Sequence, residues 1–115
     1  MIEKPKVEVC FTPNMFPLYA EDFEVVVVID VLRATSAICT AFHYGVDKII
    51  PVSTIDQAIE YKDKGYYVAA ERKGKIVSGF EFGNSPLAYT NDKLKDQTLV
   101  LTTTNGTKAI NMAKN

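Results

Sequence analysis

The sequence predicts an α/β fold, a three-layer α/β/α arrangement with a mostly parallel or mixed sheet, and three observations point to it. Short β-branched runs alternate with helical segments along the chain. The run Val25 to Ile29 is apolar at every position, the mark of a strand buried on both faces as in a parallel sheet. Polar residues gather just after the expected strands, where open α/β sheets bind their ligands.

The elements follow in order. Lys6 to Phe11 alternates apolar with polar and reads as a first strand. Phe23 to Ile29, broken only at Glu24, reads as a second strand that ends at Asp30. Ala34 to Tyr44 is a helix closed by Gly45. Lys48 to Val52 is a third strand, which Pro51 steers to a sheet edge or a strand end. Thr54-Ile55-Asp56-Gln57 fits a capping box and starts a helix from Ile55 to Lys64, closed by Gly65. Tyr66 to Ala70 is a fourth strand, and Lys73 to Gly83 is a glycine-containing loop. Asn84-Ser85-Pro86 reads as an N-cap with proline in the first helical turn. Thr98 to Thr102 is a fifth strand, and Gly106 begins a helix that has made only a turn or two when the sequence stops at Asn115.

Composition narrows the function classes. Apolar residues make up 47% and charged residues 23% of 115, values of a globular chain with a real core. A net charge of −1, with no Lys/Arg run, argues against nucleic acid as a partner. The longest unbroken apolar runs, Val25 to Ile29 and Tyr66 to Ala70, are too short to span a bilayer. The N-terminus lacks a signal-like stretch, so the expected location is the cytoplasm and no membrane partner is expected. Cys10 and Cys39 lack metal-ligand spacing and read as two buried thiols, with one disulfide as the alternative, and Cys39 as a core residue of its helix. The lone His43 excludes a site that needs several histidines and reads as a structural residue near a helix end.

Three clusters carry the chemistry. In Asp30-Val31-Leu32-Arg33-Ala34-Thr35-Ser36, a strand-end carboxylate can hold Mg²⁺ through oxygen, and Arg33 can grip a phosphate or sulfonate. Thr35 and Ser36 stand at a helix N-terminus, where free N–H groups favour anions. The plainer alternative is that Asp30 caps the helix and pairs with Arg33 at the surface. Glu71-Arg72 alone reads first as a solvated ion pair, with a site pair as the alternative. Thr102-Thr103-Thr104-Asn105-Gly106-Thr107 reads as an oxyanion cradle, or as an ordinary strand-to-helix turn with a Thr or Asn cap. Phe80 to Pro86 reads as a lid, as a second helix-N-terminal anion site with Asn84 and Ser85, or as a loop pinned by its aromatics. Asp30, Arg33, Glu71, Arg72, Asn105 and Thr107 are expected to face one crevice. There is no P-loop, no dinucleotide fingerprint, no Cys with an Arg six positions on, and no paired-aspartate phosphatase motif.

Asp30 to Ser36, Glu71-Arg72, Gly79 to Pro86 and Thr103 to Thr107 together resemble, in order, the motifs of the 2-phosphosulfolactate phosphatase family. The resemblance runs from about the second strand to the end of the chain. One departure is Ala70, where the family usually has glycine. The resemblance implies an α/β/α fold and Mg²⁺-dependent hydrolysis of 2-phosphosulfolactate to 3-sulfolactate and phosphate, a step of coenzyme M biosynthesis in methanogens. It implies catalytic roles for Asp30, Arg33, Glu71 and Arg72. Substrate contacts are expected of Thr35, Ser36, Asn84, Ser85, Thr104, Asn105, Gly106 and Thr107; Asp30 is the expected metal ligand, and Glu71 a second ligand or a base. Family members are longer, so residues 1–115 read as the N-terminal part of a phosphatase domain whose C-terminal half is absent. The expected partner is a small anionic phosphorylated substrate, and uncovered apolar surface leaves a homo-oligomer open. Two alternatives stand beside this: a phosphatase of a related phosphorylated acid, and a non-catalytic anion-binding fragment.

Overall fold

A computed structural model describes residues 1–114. Strands β1 (Lys48–Pro51), β2 (Tyr67–Arg72), β3 (Lys75–Ile76) and β4 (Thr98–Thr102) form one sheet in the order β1-β4-β2-β3. The central β4 pairs in parallel with both β1 and β2, so that Val100 faces Ile50 on one side and Val68 on the other. As Pro51 foretells, β1 is an edge strand. The antiparallel β2–β3 pair is a tight hairpin in which Arg72 opposes Lys75. Its two connecting residues, Lys73 and Gly74, have φ of 54° and 76°, the left-handed pair of a type I′ turn.

Helices α1 (Ala34–His43), α2 (Ile55–Asp63) and α3 (Gly106–Ala113) join two 3-10 turns at Pro13–Leu18 and Pro86–Tyr89. The predicted capping box is present: Gln57 N–H donates to the Thr54 hydroxyl, and the Gln57 side chain accepts from Thr54 N–H. Gly45 and Gly65 follow α1 and α2 with φ of +94° and +89°, a backbone region that side chains disfavour.

Alternation along the strands sorts the core into two faces. Ala69, Leu99 and Leu101 pack with Ala37 and Ala41 of α1 and with Phe82 and Tyr89. Val68 and Val100 pack with Ala58 of α2 and with Val52. The sheet therefore has helical cover on both faces, as the sequence predicts. Each fully buried Leu or Val contributes roughly 1.5–3 kcal/mol.

The first two expected strands are not strands. Lys6 to Phe11 and Val25 to Ile29 form no ladder, and Val25, Val27 and Ile29 are more than three-quarters exposed or close to it, at 78%, 75% and 77%. Their apolar character favours a sheet interior, but no strand among the described residues lies beside them to accept their backbone groups. Asp30 consequently follows an unpaired segment and not a strand end. Both cysteines are free thiols, yet neither is buried, and Cys39 is exposed on the outer side of α1. No helix among the described residues is long and apolar enough to cross a membrane.

Candidate active site

Three parallel strands bring their carboxyl ends to one edge of the sheet, and the site lies there. β2 runs two residues past the expected Ala70, so Glu71 and Arg72 belong to the strand and point to opposite faces. Glu71 takes the α1 face and Arg72 the α2 face. This separates a pair that the sequence places side by side.

Glu71 is only 4% exposed, and protein donors surround its carboxylate. Oε1 accepts from Gly74 N–H at 2.7 Å and the Thr104 hydroxyl at 2.8 Å. Oε2 accepts from Thr104 N–H at 3.0 Å and the Asn84 amide at 3.4 Å. Burial alone would push this carboxyl up. The N–H groups of Thr104 and Gly74, the Thr104 hydroxyl and the nearby Arg72 charge outweigh it and hold it below its ordinary value. The tight β2–β3 turn delivers the Gly74 donor.

Asn84 continues the chain of contacts. Its Oδ1 accepts from Arg33 Nη2 at 2.9 Å while its amide nitrogen faces Glu71. Chemistry dictates that orientation, because a guanidinium has only donors and a carboxylate only acceptors. Among the described residues Arg33 has no carboxylate within ion-pair distance. It stands immediately before α1. The turn leading into that helix is closed by Thr35, whose hydroxyl accepts from Asp30 N–H at 2.9 Å, and by Ser36, whose hydroxyl donates to Val31 at 2.6 Å.

Gly106 sets the seam between the starts of α1 and α3. A Cβ built there would lie 2.5 Å from the Ala34 Cβ, 3.2 Å from Asp30 Oδ2 and 3.3 Å from Thr103 Oγ1. Only glycine lets the two helix starts approach so closely. Thr103 and Thr107 lock the entry to α3 reciprocally: each hydroxyl accepts the other's N–H at 3.1 Å.

These residues border a cleft of about 620 Å³. Asp30, Arg33, Glu71, Asn84, Thr104, Asn105 and Gly106 line it, and Val26, Val28, Phe11 and Met112 add an apolar wall. The other expected site residues do not reach it. Arg72 points across the sheet and donates to Thr102 Oγ1 at 2.9 Å and to the Ser53 carbonyl at 3.3 Å. Thr107 is fully buried, its hydroxyl spent on Thr103. Thr35 and Ser36 close their own turn. Ser85 and not Asn84 is the N-cap of the 3-10 turn after Gly83, and it makes no side-chain cap bond. The segment Phe80 to Pro86 is a packed loop: Phe82 is buried and stacks on Tyr89, whose hydroxyl donates to the Gly83 carbonyl. Sequence reasoning missed Gly74 as a donor, for which the Lys73-Gly74 turn dipeptide was the available signal. It also missed Thr102 and Ser53 as the anchors of Arg72, which no local signal gives.

The donor set bears on the expected Mg²⁺. The Asp30 carboxylate faces the cleft and takes no hydrogen bond among the described residues, so it fits a hard-cation ligand. The Glu71 oxygens each accept twice, which leaves no lone pair for a metal in this arrangement. Among the described residues no three His, Cys, Asp or Glu side chains gather into a metal-binding group.

The profile of the family described as 2-phosphosulpholactate phosphatase matches residues 10–115. The chain belongs to this family. Curated relatives agree. A probable 2-phosphosulfolactate phosphatase of Thermotoga maritima is 48% identical over 96 residues, covering 84% of this chain and 42% of the relative. One from Clostridium novyi is 53% identical over 91 residues, 76% of this chain and 39% of the relative. One from Clostridium acetobutylicum is 50% identical over 88 residues, 73% of this chain and 37% of the relative. The chain thus spans about two fifths of the length of these relatives.

Proposed function

We propose that this chain carries the anion-binding part of a phosphatase that hydrolyses 2-phosphosulfolactate to 3-sulfolactate and phosphate. The observation that carries the proposal is Arg33, a guanidinium at the cleft with no carboxylate partner among the described residues, in the cleft that the open carboxylate of Asp30 also lines. Family membership supplies the substrate class. Arg33 holds an oxyanion group of the substrate and neutralises charge that develops on it. The Asn105 side chain makes no cap bond and is exposed at the cleft, where it can donate to a second oxygen. Asp30 would hold Mg²⁺ together with water and substrate oxygens, and the ion would polarise the phosphoryl group when bound. The relatives named above come from Thermotoga and Clostridium. The methanogen pathway to coenzyme M is therefore one setting for the reaction, and a related phosphorylated acid is the alternative substrate.

One observation favours a second proposal, a non-catalytic anion-binding module. Asp30 is the sole carboxylate among the described cleft residues whose oxygens are not already taken. Phosphate release from 2-phosphosulfolactate, with and without Mg²⁺, separates the two. It should be measured on this chain and on a relative of full length. Mg²⁺-dependent release by both supports the phosphatase. Sulfate binding without release by this chain, and without release by the relative, supports the module.

A further inference from the structure

We propose that Glu71 and Asn84 are positioning residues that hold Arg33 as an uncompensated cation over the cleft. The inference rests on Arg33 being the anion contact. It departs from the expectation that Glu71 and Asn84 themselves touch metal or substrate.

The geometry is a three-residue relay from the sheet to the cleft: Glu71 on β2, Asn84 in the packed loop, and Arg33 before α1. Asn84 is 7% exposed and Glu71 4%, so both lie beneath the cleft surface. If Arg33 met Glu71 directly, the fork-shaped ion pair would turn the guanidinium inward and cancel its charge. The interposed amide prevents this, because it accepts one N–H of Arg33 on one side and donates to the carboxylate on the other. The remaining guanidinium donors stay free for an oxyanion. Neutral donors answer the Glu71 charge, two of them backbone N–H groups that cannot move away. The carboxylate therefore anchors Asn84 without competing for Arg33. Holding a long side chain in its bound orientation also lowers the entropy lost on binding.

The test is calorimetric titration of sulfate into the 115-residue chain at pH 7, with circular dichroism to verify the fold. Arg33→Ala should abolish most of the affinity. Asn84→Ala should weaken sulfate about tenfold, the scale of one hydrogen bond to a charged group. In the Arg33→Ala background the same change should cost nothing more. Asn84→Asp, which keeps the shape but puts an anion against Arg33, should weaken sulfate more than Asn84→Ala does. If Asn84→Ala does not fold, Asn84→Asp alone decides. Sulfate affinity equal to the parent's in Asn84→Asp overturns the proposal, as does an Asn84→Ala loss that simply adds to that of Arg33→Ala. If Arg33→Ala binds sulfate normally, the anion site itself is misassigned, a failure distinct from that of the relay.

Discussion

Two adjacent residues, Glu71 and Arg72, show how one register step decides a role. Strand alternation sends the acid toward Arg33 and the base toward α2. Arg72 then ties β2 to β4 and to the loop before α2. Arg72→Ala should cost about 1–2 kcal/mol of stability, from hydrogen bonds to a charged group. Sulfate affinity should change little, and urea melts with a parallel titration check both. Glu71 titrates below its ordinary 4.5 in the folded chain, so its interactions stabilise the fold above that value and are lost as the pH falls through the lower, folded value. Melting temperature should therefore drop on acidification below pH 4.5, and Glu71→Gln should flatten that limb of the profile. The sequence singled out Asp30, Arg33 and Glu71, and the structure brings all three to one cleft. The sequence could not announce that Glu71 is saturated, because its partners Gly74, Asn84 and Thr104 come from three separate turns.

Among the elements, those set by local chemistry were legible. The capping box starts α2, and β4 has the predicted bounds Thr98–Thr102. Gly106 opens α3 as expected, but its reason is packing: the starts of α1 and α3 meet there. Gly106→Ala raises intrinsic helix propensity. It should nonetheless destabilise by about 1–3 kcal/mol through overpacking, and push Asp30 out of place. A lower melting temperature together with weaker sulfate binding is the expected pair of results. The segments Lys6 to Phe11 and Val25 to Ile29 were misjudged because a residue's apolar character reports what it would gain from burial. Whether a neighbouring strand is there to pair with it is a long-range matter.

In the molecule as a whole, the uncovered segment has a consequence for assembly. Val25, Val27 and Ile29 are largely exposed, and the stretch Val26 to Ile29 borders the cleft. Such a row of exposed apolar side chains with unpaired backbone favours association. Sedimentation should show mass rising with concentration, and Val27→Lys should suppress it, whereas concentration-independent monomer would dismiss the idea. The two cores differ in a way that amide exchange should reveal. The larger one joins the sheet to α1 and the Phe82–Tyr89 loop, while the smaller holds α2 chiefly through Ala58. β4, paired on both edges, should carry the slowest-exchanging protons, and α2 should open first as a separate cooperative unit. The N–H groups of Gly74 and Thr104, bound to a carboxylate on the opposite face, should stay protected through that opening. The cleft then outlasts the loss of α2, and partial unfolding slackens the hold on Arg72 at Ser53 before it reaches Arg33.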